Sequence, residues 1–132
     1  MKIAFILSHS VISSTNGVVS QAQTWKKGLE SIGHDITLVD MWQKNDWKFF
    51  DVIHFFGFSV YMTQFIKAIS TTNSKIVVSP IVDPYYSITR LKIYTRWGSE
   101  KFNLTNPYYG LFKIRHLIKK VFVRSNFEKK YC

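Results

Sequence analysis

With 46% apolar and 20% charged residues, the 132-residue chain is sized for one domain with a sizeable core and is too apolar to be disordered. No run reaches the roughly 18 apolar residues of a membrane-crossing helix, and the strand-like N-terminus has no small-residue cleavage site, so the chain is expected to begin in the cytoplasm. Cys132 is the only cysteine and no His/Asp/Glu spacing suits a metal, so neither an intrachain disulfide nor a metal or other cofactor is expected.

The formal charge of +10 is unevenly placed. Residues 1–83 carry seven Lys/Arg against six Asp/Glu, whereas residues 84–132 carry eleven against two and so hold +9. Such asymmetry suits an acidic partner: anionic lipid, nucleic acid or the face of another domain. A solvated basic face is the plainer alternative.

Residues 2–7 (KIAFIL) form a short, nearly continuous apolar run, the pattern of a strand buried on both faces of a parallel sheet. Small and polar residues follow up to Asn16-Gly17, and then Val18, Ala22, Trp25, Leu29 and Ile32 recur at helical spacing. Gly33 stands where a left-handed C-cap would stop that helix, and residues 35–40 (DITLVD) read as a second strand. The result is a βαβ unit with glycine at the helix start. Free N–H groups there favour a phosphate or carboxylate, although Gly17 lacks both the GxGxxG fingerprint and a Walker lysine-serine pair, and Asn16-Gly17 equally suits a plain turn and cap.

Residues 41–50 make a polar and aromatic connection with Trp42 and Trp47, and residues 51–57 (DVIHFFG) read as a third buried strand. A helix is expected from about Ser59 with Tyr61, Phe65, Ala68 and Ile69 on one face, followed by a fourth strand at 75–79 (KIVVS). Pro80 and Pro84 bracket its exit. Further on, Tyr85, Tyr86, Ile88, Leu91, Tyr94 and Trp97 are interleaved with Arg90, Lys92 and Arg96. A helix starting at Asn106-Pro107 would align Leu111, Ile114, Leu117, Ile118 and Val121, with Lys113, Arg115, His116, Lys119 and Lys120 opposite and Tyr108 and Phe112 among the basic residues. Residues 119–125 (KKVFVRS) read as a fifth strand, capped into a last helix over 127–132. Strands alternating with helices or long connections predict an α/β fold, a Rossmann-like parallel sheet with helices on both faces. Ligands then bind beyond the carboxyl ends of the strands, at residues 8–17, 54–59, 80–86 and 125–126.

Taken in order, KIAFIL, Asn16-Gly17-Val18, the phrase GHDITLV at 33–39, DVIHFFG, KIVVS and VFVRSNFEKKY at 121–131 resemble the N-terminal domain of retaining glycosyltransferases with two Rossmann-like domains, the GT-B type, family four or group 1-like. The resemblance covers essentially the whole chain as one domain, 1–132. It implies transfer of a sugar from a nucleotide-sugar to a cell-surface polysaccharide or glycolipid. Asn16, Gly17 and Val18 would face the donor diphosphate or the acceptor, and His54 would match the first histidine of the third-strand motif. His54 and Asp83 are the catalytic candidates. Tyr85, Tyr86, Arg90, Tyr108, Phe112, Arg115 and Lys119 would form an acceptor or membrane face, with the protein peripheral at the inner leaflet.

Two positions depart from the family pattern: Phe56 stands where a second histidine is usual, and Val82 where a histidine usually precedes Asp83. The C-terminal domain that holds the donor in that family is not in the 132 residues, so the chain is expected to be incomplete as an enzyme and to need that domain or a partner subunit. The alternative from another class is a stand-alone Rossmann-like nucleotide or nucleic-acid binding module using the same basic and aromatic residues, although no nucleic-acid signature is present. His54 also has a plain reading as a satisfied, partly buried histidine at the end of an apolar strand.

Overall fold

The computed structural model describes residues 1–7, 17–40, 43–57, 60–72, 75–80 and 115–122. Strands β1 (Lys2–Leu7), β2 (Asp35–Leu38), β3 (Val52–Phe56), β4 (Lys75–Ser79) and the short β5 (Lys120–Val121) form one sheet in the order β2-β1-β3-β4-β5. Every pairing is parallel, with Lys2 opposite Asp35, Ile3 opposite Val52, Val52 opposite Lys75 and Val77 opposite Lys120. Helix α1 (Gly17–Ser31) follows β1 and helix α2 (Val60–Ile69) follows β3. The fold is therefore the Rossmann-like α/β sheet that the alternation of elements predicts.

The unbroken apolar runs have a physical reason in this arrangement. Ala4, Phe5 and Ile6 of β1 and Ile53, Phe55 and Phe56 of β3 are fully buried, because both faces of the inner strands are covered. One face packs Ala4, Ile6, Ile53, Phe55, Ile76 and Val78 against Met62, Ile66 and Ile69 of α2, with Trp47, Phe50 and Ile118 closing the layer. The other sets Ile3, Phe5, Ile36 and Phe56 against Val18, Ala22, Trp25 and Leu29 of α1. Right-handed crossovers running to opposite sides of the β1–β3 pair put their helices on opposite faces, and the two clusters follow that rule.

Helix α1 ends as Gly33 requires. Gly33 sits at φ 84°, its N–H donates to Glu30 O at 3.0 Å, and His34 N–H donates to Leu29 O at 3.1 Å, the paired bonds of a Schellman cap. Ile32 therefore falls in the cap and not on the helix face, and it is exposed. In α2 the buried stripe is Met62, Ile66 and Ile69 with Phe65 flanking; Phe65 and Ile69 were expected there, Ala68 is exposed instead, and the side chain of Tyr61 lies outside the described residues. The larger side chains decide the rotation, since Ala68 has little area to remove from water.

The connection into β3 holds a 3₁₀ turn, Trp47–Phe49, whose Asp46 cap accepts from Lys48 N–H at 3.1 Å. Strand β2 stops at Leu38, short of the expected Asp40. The helix expected through residue 121 is not continuous. Arg115–Leu117 is a 3₁₀ turn and Val121 lies in β5, because Lys119 N–H already donates to Ile76 O at 2.7 Å and joins the sheet. The last helix expected over 127–132 lies outside the described residues. No helix among the described residues is long and apolar enough to cross a membrane.

Candidate functional site at the carboxyl rim

The chain steps from β1 to β2 on one side, then returns across β1 to β3 and continues to β4 and β5. That reversal lies between β1 and β3. The helices that follow the two strands lie on opposite faces of the sheet, the arrangement at which open α/β sheets generally bind their ligands. The described rim consists of Leu7, the first turn of α1 at Gly17, Phe56, Gly57, Ser79 and Pro80. Gly57 has φ 77° and donates its N–H to Ser79 O at 2.9 Å, a left-handed turn that draws the exit of β3 toward β4. A Cβ at Gly57 would meet nothing within 4 Å, so conformation and not space selects glycine there.

His54 occupies the middle of β3, below this rim, and is only 4% exposed. Its Nε2 is hydrogen-bonded to Ser79 Oγ at 2.9 Å. Its ring stacks on Phe56 at 4.2 Å between centroids and is bordered by Phe5, Trp25 and Phe122 at 5.3–5.8 Å. Burial among hydrocarbon disfavours the charged form and pushes the imidazole down from 6.5 to about 4, so His54 is neutral at physiological pH. A neutral, enclosed histidine bonded to a serine matches the plain reading, that of a satisfied core side chain. Phe56, where the family resemblance expects a second histidine, is fully buried against Phe5 and Trp25 and extends the core.

The other predicted positions divide between seen and unseen. Gly17 opens α1 at an exposed position, and Val18 packs into the α1 face of the core instead of facing outward. Arg115 begins the 3₁₀ turn, and Lys119 is exposed beside β5. Asn16, Asp83, Tyr85, Tyr86, Arg90, Tyr108 and Phe112 lie outside the described residues. Among the described residues no group of His, Cys, Asp and Glu is arranged to hold a metal ion.

Residues not singled out in the sequence also contribute. Ser79 is the buried partner of His54, and its signal was a hydroxyl at the end of an otherwise apolar strand. A recess of about 330 Å³ lies between the carboxyl ends of β1 and β2 and the start of α1, lined by Leu7, Val19, Ala22, Gln23, Leu38, Val39 and Asp40. It sits one strand from the reversal. Compared with known proteins, the chain matches no family model, no curated protein and no solved structure. The class defined by the fold is thus a Rossmann-like α/β protein with a parallel sheet.

Proposed function

We propose that the chain is the acceptor-side domain of a retaining glycosyltransferase with two Rossmann-like domains, which moves a sugar from a nucleotide-sugar to a cell-surface polysaccharide or glycolipid at the cytoplasmic face of a membrane. The observation that supports this reading is the reversal of strand order between β1 and β3 beside the Gly17 helix start, the edge over which a second domain would close. In such enzymes the protein positions donor and acceptor and stabilises the departing diphosphate, and retaining transfer needs no protein nucleophile. Gly17 and the first N–H groups of α1 would serve the anionic end of a ligand. His54 would support the sheet beneath the site, leaving Asp83 as the catalytic candidate. The +9 carried by residues 84–132 would hold the domain at an anionic leaflet, at about 1 kcal/mol for each basic residue near the surface.

The test begins with the coding sequence downstream of Cys132 and the adjacent frames. A second Rossmann-like domain with two glutamates spaced by seven residues is expected there. Combined with this chain, it should transfer radiolabelled sugar from a nucleotide-sugar to lipid-extractable or polymeric product, and neither part alone should do so. Absence of such a partner, or no transfer by the combined parts with any common nucleotide-sugar, refutes the reading. Salt-sensitive binding of short oligonucleotides with no binding to anionic liposomes would favour the binding-module alternative.

A further inference from the structure

We propose that the recess between the start of β4 and the turn leading into β5 is a phosphate site, suited to the monoester of a small soluble molecule. It lies at the amino edge of the sheet, since Lys75 opens β4 and Lys119 directly precedes β5, and so stands at the opposite end of the strands from the carboxyl rim. The recess measures about 290 Å³ and is lined by Lys75, Ile76, His116, Leu117, Ile118 and Lys119. Three of these six can carry positive charge, and none is acidic. Bringing Lys75 and Lys119 to one recess sets like charges together, a cost that an anion between them would reverse.

The fold gives these cations no other task. Lys75, His116 and Lys119 are exposed, and among the described residues none of their side chains makes a hydrogen bond or an ion pair. Asp51, the acid that precedes the neighbouring strand β3, turns its Oδ2 to Lys2 N–H at 2.8 Å. The backbones, by contrast, are fixed. Lys75 N–H donates to Asp51 O at 3.2 Å, Lys119 N–H donates to Ile76 O at 2.7 Å, and His116 sits in the 3₁₀ turn. The three stems are thus anchored on sheet and turn, so binding orders side chains alone. Donors arriving from three separate positions suit the three terminal oxygens of a phosphate better than the two coplanar oxygens of a carboxylate. Half-buried Leu117 offers an apolar surface to the organic part of an ester. The inference does not depend on the glycosyltransferase reading, which places its ligands at the carboxyl rim.

The experiment is an amide-correlation NMR titration of the whole 132-residue chain with inorganic phosphate, glycerol 3-phosphate and acetate, each to about 20 mM, at fixed pH and with ionic strength held at about 0.2 M by sodium chloride. Both phosphates should shift the amides of Lys75, Ile76, His116, Leu117 and Lys119, and acetate should not. Lys75→Gln and Lys119→Gln, at exposed positions that the fold tolerates, should each weaken phosphate binding about fivefold. Lys67→Gln, at an exposed lysine of α2 outside the recess, should leave it unchanged. Vesicles of phosphatidic acid distinguish a lipid headgroup from a free phosphate. The proposal is overturned by no shift with either phosphate, by shifts elsewhere, by equal shifts with acetate, by an equal loss in Lys67→Gln, or by binding that occurs only with the vesicles.

Discussion

Acidification should weaken this fold through His54. The imidazole is held at about 4 in the folded chain against 6.5 ordinarily, so between those values the unfolded chain binds more protons than the folded one. Stability then rises with pH through that window, is fully present above about 6.5, and is lost as pH falls toward 4. With the group only 4% exposed, little solvent screening reduces the effect. Its magnitude between pH 7.5 and 4.5 is about 2.5 kcal/mol, a large share of the stability of a small domain. The comparison is with His54→Gln, which keeps a polar group for Ser79 and cannot titrate. Gln loses the stacking on Phe56, so its stability at pH 7.5 should be lower, but its dependence on pH should be flatter by about 2.5 kcal/mol. Urea unfolding followed by tryptophan fluorescence reads this as a midpoint that falls about 1–2 M further in the parent than in the variant. Equal slopes for the two proteins, or a His54 resonance titrating near its ordinary value, would refute the reasoning.

Gly33→Ala should cost about 1 kcal/mol in thermal unfolding, because alanine must adopt the same left-handed φ of 84° to keep the cap. Trp25→Ala should cost about 3 kcal/mol and also raise the pKa of His54 toward its ordinary value, seen by NMR titration, since the indole covers both His54 and Phe56. Lys26 pairs with Glu30 and donates to Ile36 O at 2.7 Å, a carbonyl that faces the outer edge of β2. Lys26→Ala should leave the melting temperature within a few degrees yet increase concentration-dependent self-association in sedimentation, as expected of an uncovered sheet edge.

The strands were legible because burial on both faces writes itself as continuous apolar runs: β1 and β4 occupy the expected residues, and β3 spans the expected run without its ends, Asp51 and Gly57. Gly33 was legible for a comparable reason, since a glycine after a helical apolar repeat marks a left-handed cap. The face of α2 was not legible in full, because Phe65 and Ala68 lie near the edge of the stripe and only packing chooses the rotation. Of the candidate site, the helix start at Gly17 and the exit of β3 were readable as ends of elements, and the burial of His54 was one of two readings that the sequence left open. A histidine in an apolar strand looks the same in sequence whether it faces a ligand or a core.

What the sequence determined by itself is everything carried by local periodicity: the parallel α/β class, the strand segments, the helix from Gly17 and its stop at Gly33. What tertiary structure alone decided is which strand neighbours which. Order β2-β1-β3-β4-β5 puts the reversal at β1 and β3, makes β2 an edge that Lys26 covers, and brings His54 to Ser79 across 25 residues of chain. The same packing leaves Leu38 open while Ile36 is buried. These are long-range outcomes, since a period of two or of 3.6 residues states which face a side chain prefers and carries no information about the element that will cover it.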